Sequence, residues 1–396
     1  MDEIRLTSWD QVRQAFRSKH LRQAGYTEGA VVMAGTLLDL HGVEHRQRRR
    51  VENRLFRRQT FADWEHRVLG ATIDATMQPF VERGSADLVQ IGYRAAMNLT
   101  AQIAGVDIDP ADEGRTDRLY EVVKTFSEGA TLMHSTRDKD VVRAEVAAAI
   151  QEFEHDFYAP SLRRRNDAPG ESHDVLGTLL ANQDRLLLDP LTVFREICFY
   201  LQAGAHSTAN AFVHTVDELL EWATTGDIET GAIELPTVQR CMHESLRLHP
   251  ASPVAYRTPL ENVVLADGTE LPAGSRVVLD LTAANTDPDV FGDNAADFDP
   301  ERTLPEGVAP WGMSFGGGMH ACVGAELDGG LDPAAGVNAD HLYGTVAIVA
   351  HAFFSAGGRR DPAHAPQLDP NSTRAHFSSY PVVFYDDQQN QGSVHG

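Results

Sequence analysis

The chain of 396 residues contains only three cysteines, Cys198, Cys241 and Cys322, which lie far apart and form no Cys-x-x-Cys pair. This scarcity argues against a disulfide framework and against a structural zinc site. The chain also lacks an apolar run of the roughly 18–20 residues that a membrane-spanning helix needs, and its first residues lack the apolar core of a signal peptide. We therefore expect a cytoplasmic protein without a membrane span, in which Cys198 and Cys241 belong to the core.

Positive charge is scarce as well, because 34 lysines and arginines face 57 aspartates and glutamates, for a net charge of −23. An acidic chain of this kind is not expected to bind nucleic acid in general, since phosphates repel it. The basic residues are unevenly spread, and seven arginines fall within residues 45–58. This stretch has two interpretations, a solvated helix face or a docking surface for an acidic partner.

Helical patterns dominate the chain as far as residue 248, and β-like segments follow. No linker rich in proline, serine or glycine divides the chain, so we predict one domain over residues 1–386 and a polar, disordered tail over 387–396. Residues 21–42 are expected to be loop-like and residues 281–320 mostly irregular. Helices are predicted at about 8–18, 43–58, 61–81, 86–105, 115–133, 140–163, 173–182, 190–223, 235–248 and 341–356, and strands at 263–265, 270–271, 276–279 and 380–385.

Cys322 stands in a glycine-rich run, residues 315–324, that reads Phe-Gly-Gly-Gly-Met-His-Ala-Cys-Val-Gly. Glycine lets the backbone approach a flat cofactor closely and adopt positive φ. A helix that starts just after the cysteine would lower the pKa of the thiol and keep the thiolate available to a metal. Since a lone cysteine is more often a small buried apolar residue, the flanking pattern is what favours a metal ligand.

The run resembles the haem-binding loop of the cytochromes P450, Phe-Gly-x-Gly-x-His-x-Cys-x-Gly, and every defined position is present. The resemblance implies a mainly α fold with a small β-rich sector, haem b as the cofactor and Cys322 as the axial ligand of its iron. A thiolate on haem iron favours O–O cleavage. Phe315, Gly318 and Gly324 would then border the haem, with Phe315 shielding the sulfur from water.

Three charged residues resemble a second motif of that family. Glu244 and Arg247 form a Glu-x-x-Arg pair on an apolar helix, and Arg302 closes the run Phe-Asp-Pro-Glu-Arg at 298–302. Because buried charges need partners, we expect these three to form a structural network behind the haem rather than to take part in chemistry.

Four further residues match the family's partners of the haem propionates. His45 and Arg49, at i and i+4, match a His-x-x-x-Arg pattern, Arg257 follows the Glu-x-x-Arg helix, and His320 lies two residues before the cysteine. Arginine forms paired hydrogen bonds with carboxylates, which suits this role. The alternative for each residue is an ordinary surface role.

The distal motif departs from the family, which usually has Ala/Gly-Gly-x-Asp/Glu-Thr. There the glycine leaves space for dioxygen, and the acid and alcohol relay protons. In one interpretation His206, in the acid position, titrates near neutrality and relays protons with the Ser207 hydroxyl. In others the substrate or an ordered water supplies the proton, His206 is a core histidine bonded to a backbone carbonyl, or a shifted register makes Thr208 the working hydroxyl. The segment runs Ala203, Gly204, Ala205, His206, Ser207, Thr208, and Ala203 would also border the haem.

Two more departures concern length. The His45–Arg49 pattern comes early in the chain, so part of the N-terminal helix and sheet is expected to be missing or reduced. After Gly324, residues 327–336 contain glycines and a proline that would break the long helix the family has there. This interruption lies near the cysteine and could alter the docking of a partner.

The resemblance implies a haem-thiolate monooxygenase of the bacterial class I type. It would take electrons from NAD(P)H through a ferredoxin or flavodoxin and its reductase, and oxidise a medium-sized hydrophobic molecule, in secondary metabolism for instance. The alternatives are an enzyme that uses peroxide or catalyses coupling, desaturation or rearrangement, and a non-enzymatic haem-binding protein. Besides the loop at 21–40, the pocket is expected to involve Phe199, Ala203, Ala205, Val254, Ala255 and Phe377.

Overall fold

A computed structural model of the protein describes residues 3–26, 29–168, 173–226, 228–333, 336–338 and 340–384. The tail predicted over 387–396 lies outside these residues. No helix among the described residues is both long enough and apolar enough to cross a membrane. The architecture is mainly helical with small β-sheets, as the sequence predicts.

Helices fill most of the described chain up to residue 248, and their bounds mostly agree with the predicted ones to within a few residues. Single π-helical turns, Glu65–Leu69 and Glu154–Tyr158, each join two successive α-helices. The helices are α1 (Trp9–Arg17), α2 (Ala30–Met33), α3 (Gly42–Glu52), α4 (Arg58–Trp64), α5 (Gly70–Arg83), α6 (Leu88–Ala104), α7 (Glu113–Ala130), α8 (Lys139–Phe153), α9 (Ala159–Asp167), α10 (Val175–Ala181), α11 (Gln183–Leu186), α12 (Pro190–Thr225), α13 (Leu235–Leu248), α14 (Leu281–Asn285), α15 (Pro288–Phe291), α16 (Ala325–Gly329) and α17 (Thr345–Ser355).

Four small sheets account for the strands of the described residues. A four-stranded sheet has the order β1-β7-β4-β2, in which β1 and β7 are parallel and the other pairs antiparallel. A three-stranded sheet has the order β3-β11-β8, and two pairs, β5-β6 and β9-β10, complete the set. The strands are β1 (Glu3–Leu6), β2 (Leu21–Ala24), β3 (Ser85–Asp87), β4 (Val254–Pro259), β5 (Val263–Val264), β6 (Glu270–Leu271), β7 (Arg276–Asp280), β8 (Gly358–Arg360), β9 (Gln367–Leu368), β10 (Phe377–Ser379) and β11 (Pro381–Phe384).

The N-terminal residues form helix α1 and supply strands β1 and β2 to the four-stranded sheet. This is the part of the fold that the sequence predicts to be reduced. Helix α1 starts at a capping box, in which Ser8 and Gln11 satisfy each other's backbone N–H groups. Its buried face joins Val277 and Leu279 of β7 in a core cluster. Residues 21–24 are therefore a strand rather than the loop we expected, because Gln23 pairs with Arg257 of β4.

Helix α12 is 36 residues long and runs through the larger of the two core clusters. The side chain of Asp189 accepts a hydrogen bond from the Thr192 amide, and Pro190 occupies the first turn, so both signals favour a helix start here. Cys198 on this helix is 1% exposed and Cys241 on α13 is 0% exposed, as expected for core cysteines. Helix α12 packs most extensively against α6.

The helix that follows Cys322 is interrupted and then resumes. Helix α16 ends at Gly329, and α17 begins only at Thr345, whose hydroxyl donates to the Leu327 carbonyl over 3.1 Å. Gly330 and Gly344 both have positive φ. A Cβ on Gly330 would collide with the Leu342 carbonyl, and a Cβ on Gly344 would collide with the Asp328 carbonyl. The glycines therefore let the chain leave the helix and re-enter it at nearly the same point.

Candidate functional site

A cavity of about 380 Å³ is lined by the middle of α12 and by the glycine-rich loop before α16. Cys322 lines it, and its side chain is accessible from there although it lies deep inside the protein. The Cys322 amide donates to the Phe315 carbonyl over 2.9 Å, which closes the loop around the thiol. Phe315 also lines the cavity and packs edge-on against Trp311, with ring centroids 5.4 Å apart.

The thiol environment corrects one expectation. Burial, followed by the nearby carboxyl group of Asp328, raises the pKa of Cys322 to about 11. A five-residue helix, α16, does not outweigh these two effects, so the prediction of a lowered thiol pKa was wrong for the protein without a metal. A bound metal cation deprotonates a coordinating thiol outright.

The two glycines that we assigned to the loop have different positions. Gly324 lines the cavity, and a Cβ there would meet no atom within 4 Å. Gly318 does not line it; with φ +62° it lies against α1, where a Cβ would collide with the Phe16 carbonyl. Gly318 is therefore required by packing and by its backbone conformation, not by contact with a ligand.

The four residues predicted to hold carboxylates all line the cavity, His45 and Arg49 on α3, Arg257 on β4 and His320 in the loop. The rings of His45 and His320 lie 4.5 Å apart between centroids. Both ring nitrogens of His45 and Nε2 of His320 are buried without a hydrogen bond. Arg49 donates to the Ala321 carbonyl over 2.6 Å, and Arg257 donates to the Tyr256 carbonyl over 2.8 Å.

This group of donors fits the cofactor that the resemblance implies. Burial lowers the pKa of Arg257 to about 10, because the described residues give its guanidinium no counter-charge. Buried donors of this kind normally have partners, and the two propionates of a haem would supply acceptor oxygens. His45, Arg49, Arg257 and His320 would hold the propionates, and Cys322 would hold the iron.

Helix α3 is fixed in place by a buried polar network with α12. Arg48 donates to the Glu196 carboxylate over 2.5 Å, and that carboxylate also accepts from the Leu37 amide over 3.0 Å. One turn away, the Tyr200 hydroxyl donates to Glu52 over 2.7 Å. Burial raises the pKa of Glu52 well above its usual range. The network therefore fixes the orientation of α3, in which His45 and Arg49 line the cavity.

Glu244, Arg247 and Arg302 come together as the sequence suggests. Arg247 is 0% exposed and donates from Nε and Nη2 to both Glu244 oxygens, over 2.7 and 2.6 Å. Arg302 donates to the same carboxylate over 3.0 Å. Arg247 also donates to the Asn285 and Ala295 carbonyls, over 2.7 and 2.6 Å. The network thus ties α13 to the segment before the cysteine loop.

His206 lines the cavity but does not have the environment we expected. Its Nδ1 lies 2.6 Å from the Tyr93 hydroxyl, which also accepts from the Asn210 amide over 3.3 Å. Burial, and then the positive charges of Arg374 and Lys124, lower the pKa of His206 to about 3. The imidazole is therefore neutral at pH 7, and the prediction that it titrates near neutrality was wrong. Its partner is a phenol, not a backbone carbonyl.

The neighbouring residues of α12 also line the cavity, namely Ala203, Gly204, Ser207 and Thr208. The Ser207 hydroxyl donates to the Ala203 carbonyl over 2.5 Å, and the Thr208 hydroxyl donates to Asp328 over 3.1 Å. A Cβ at Gly204 would lie 2.7 Å from Cγ2 of Thr100 on α6. The close approach of α6 therefore explains this glycine directly, whereas we had expected only space for dioxygen.

Asp328 is a site residue that the sequence did not reveal. It lies on α16 six residues after the cysteine, lines the cavity, and accepts its hydrogen bond from Thr208. Burial raises the pKa of its carboxyl group to about 7. No spacing or composition signal marks it, since an aspartate between leucine and glycine is typical of a turn.

The pKa of Asp328 predicts a pH dependence of stability. The ordinary value is about 3.9, so between about pH 4 and 7 the folded protein keeps a proton that the unfolded chain has lost. The contribution of this group therefore falls as pH rises through that window. Asp328→Asn should stabilise the haem-free protein by up to about 4 kcal/mol above pH 7 and by almost nothing near pH 4. Urea unfolding at both pH values measures this, and a difference independent of pH would contradict it.

The pocket residues proposed from the sequence divide into two groups. Phe199, Val254 and Ala255 line the cavity, and so do Leu37 and Leu38 from the loop before α3. Ala205 and Phe377 do not line it. Ala205 is 1% exposed in the core, and Phe377 packs against His214 and Tyr380. The last strands instead present Arg374 to the cavity, which no sequence pattern indicated.

Comparison with known proteins agrees with this site. The family model described as "Cytochrome P450" matches residues 223–327, a range that includes the Glu244 network, Arg257 and Cys322. Cytochrome P450 26A1 of Xenopus laevis is 23% identical over 371 residues, which cover 82% of this chain and 72% of that protein. The self-sufficient cytochrome P450 monooxygenase CYP505E3 of Phanerodontia chrysosporium is 28% identical over 41% of this chain, but the match spans only 17% of its own length.

The solved structures give the same result for the fold. The crystal structure of CalO2 superposes with a TM-score of 0.75 at 24% identity, and the match covers 96% of this chain and 90% of that one. The residues around the cavity fit a haem held by a cysteine thiolate, and the relatives named above are cytochromes P450. The chain belongs to the cytochrome P450 family, the haem-thiolate oxidoreductases of the monooxygenase type.

Proposed function

We propose that the protein is a cytoplasmic monooxygenase that inserts one oxygen atom of O₂ into a medium-sized, largely hydrophobic small molecule. The observation that supports this best is the single cavity wall that joins the Cys322 thiol, the Arg257 guanidinium and apolar side chains from α12 and β4. The same wall carries ring nitrogens of His45 and His320 that have no hydrogen-bond partner among the described residues. Haem, when bound, supplies the activation of dioxygen. The protein's own residues supply the rest.

In this proposal, Cys322 holds the cofactor from one side and the four cationic or donor residues anchor its propionates. Val254, Ala255 and Phe199 form the apolar wall against which a substrate C–H group would lie. Apolar walls also exclude bulk water, which strengthens every hydrogen bond inside. The site is thus suited to bind and orient its substrate and to keep bulk water away from it.

Proton delivery is assigned to the Ser207 hydroxyl. It lines the cavity, and its present acceptor is the Ala203 carbonyl of the same helix, so rotation about one bond would direct the proton into the cavity. His206 is neutral and bonded to Tyr93, and we assign it a positioning role next to Ser207. A chain of single water molecules leading to the solvent would return a proton to Ser207 Oγ, each water passing one proton on and receiving another.

Electrons are proposed to come from a ferredoxin or flavodoxin that docks on the arginine-rich stretch. Five of its seven arginines, Arg46, Arg50, Arg54, Arg57 and Arg58, are exposed. Arg58 pairs with Glu326 on α16 over 2.7 Å, which places this surface beside the cysteine loop. Arg48 and Arg49 face inward and take no part in this surface. An acidic partner would find complementary charge here even though the whole chain is acidic.

The test is turnover under labelled dioxygen, with NADPH, a ferredoxin, its reductase and a panel of hydrophobic compounds. Wild-type protein should place one labelled atom in the product. Ser207→Ala should lower the product formed per NADPH by about 100-fold, the lower end of what a lost proton-transfer group costs. Mass spectrometry of product, set against NADPH consumed, gives both values.

Thr208→Val is the matched variant, because it removes the neighbouring hydroxyl. If it uncouples turnover and Ser207→Ala does not, the register is shifted and Thr208 is the working hydroxyl. Product formed with peroxide but not with dioxygen and NADPH would favour the peroxide-using alternative. Consumption of neither oxidant would favour a non-enzymatic haem-binding protein.

A further inference from the structure

Arg374 places a charged group in the cavity, on the segment between β9 and β10. It lies deep inside the protein and lines the cavity. Its Nε is buried without a hydrogen bond, and no carboxylate among the described residues forms an ion pair with its guanidinium. Burial also lowers the pKa of Arg374. An uncompensated buried charge is costly, so this position calls for an anion that the described chain does not supply.

The acidic side chains of the cavity wall are already engaged. Among the described residues, Glu65 and Asp328 are the carboxylates that line it. Glu65 accepts from the amides of Tyr343 and Gly344, over 2.9 and 3.2 Å, and Asp328 accepts from Thr208. Neither is paired with Arg374.

Contacts of two of its neighbours in the chain place Arg374 beside His134 and His206: the Thr373 amide donates to the His134 carbonyl over 3.0 Å, and the ring of His376 lies 5.2 Å from that of His206. Burial first, and then the charge of Arg374, lowers the pKa of His134 to about 4, and the same charge acts on His206. The pKa of His320 is lowered by burial and then by the nearby His45 and Arg257. The donors suited to the propionates, His45 and His320, lie together with ring centroids 4.5 Å apart, and Arg374 would be left for a carboxylate of the substrate.

We propose that Arg374 binds a carboxylate of the substrate, so that the substrate is an amphipathic organic acid whose apolar part lies along Leu37, Phe199 and Val254. This inference rests on the proposed function and adds the substrate class to it. Guanidinium and carboxylate groups form two parallel hydrogen bonds, which fix orientation as well as adding affinity. A substrate carboxylate bound by Arg374 would determine which carbon of the apolar part lies near the cofactor.

The test compares acids with their uncharged amides on the holoprotein by calorimetric titration. The probes are hexanoate against hexanamide and 4-phenylbutanoate against 4-phenylbutanamide, which differ only in the headgroup. Wild type should bind each acid about 10- to 100-fold more tightly than its amide, the range expected for a charge-assisted pair of hydrogen bonds. Arg374→Gln should reduce the preference to less than threefold, and Arg374→Lys should retain part of it.

Arg276→Gln, at an exposed arginine on β7, is the matched control and should keep the full preference. Haem content of Arg374→Gln should equal that of wild type, since loss of haem would make Arg374 a propionate ligand instead. Equal behaviour of acid and amide in wild type, including no response to either, overturns the proposal, as does an acid preference that survives in Arg374→Gln. These binding results do not depend on turnover, so failure of the oxygenation assay is a separate outcome.

Discussion

Replacing Cys322 with serine should abolish the strongly red-shifted Soret band that the reduced wild-type protein gives with carbon monoxide. That band reports thiolate ligation, and a serine hydroxyl is neither as acidic nor as polarisable as a thiol. Because the pKa of Cys322 is raised to about 11 without a metal, its thiolate depends on the iron for its stability. Absorption spectra of the reduced protein, before and after carbon monoxide, measure the effect.

Cys241→Ala is the matched control, since Cys241 is buried on α13 and has no contact with the cavity. It should keep the red-shifted band in full. A wild-type protein that shows only the band of haem with a neutral ligand would mean that Cys322 is protonated or displaced. The monooxygenase proposal would then give way to its alternatives.

Arg247→Met should lower the free energy of unfolding by about 3–5 kcal/mol, the usual result of removing one member of a buried ion pair. The change leaves the Glu244 carboxylate buried with Arg302 as its remaining cationic partner, and it removes the donors that the Asn285 and Ala295 carbonyls use. Loss of bound haem should accompany the loss of stability, because Ser314, next to the cysteine loop, bonds to Asn285. Denaturant unfolding and haem absorbance measure the two effects.

Arg240→Met tests the same helix at a partly exposed position, where the side chain is 35% exposed. Arg240 pairs with Glu301 over 3.1 Å, and Glu301 is 70% exposed, so the variant should cost less than about 1 kcal/mol. Equal losses for Arg240→Met and Arg247→Met would contradict the network as the source of the effect. A stable, haem-replete Arg247→Met protein would do so as well.

Much of the fold and of the cofactor pocket was predictable, because contiguous motifs encode them. The glycine-rich run around Cys322 and the Glu-x-x-Arg pair each lie on one short segment, where spacing alone sets the geometry. Helices as long as α12 are also clear in a sequence, since periodicity accumulates over many turns. Short elements such as β2 were missed, because a four-residue strand is defined by its pairing with β4 rather than by its own sequence.

The remaining site residues could not be predicted, for two physical reasons. The roles proposed for Asp328 and Arg374 depend on their burial, and distant parts of the chain determine that burial. The neutrality of His206 has the same origin, since its pKa follows from desolvation and from the charges of Arg374 and Lys124. The second reason is that the packing partner of a residue can lie on another element. The position of Gly204 was identified from a motif, but its packing partner, Thr100, lies on another helix.

The interruption between α16 and α17 has a consequence for how this chain can change in length. The amide of Leu331 donates to the Leu342 carbonyl over 2.8 Å, and the Gln239 side chain bonds to the carbonyls of both residues. The two ends of the inserted segment are therefore clamped together, so the number of residues between them is uncoupled from the distance between Cys322 and α17. When the two ends of a loop are held together, lengthening the loop adds little to the entropic cost of closing it. The segment is thus a place where sequence can be lengthened, shortened or labelled while the cysteine loop keeps its position.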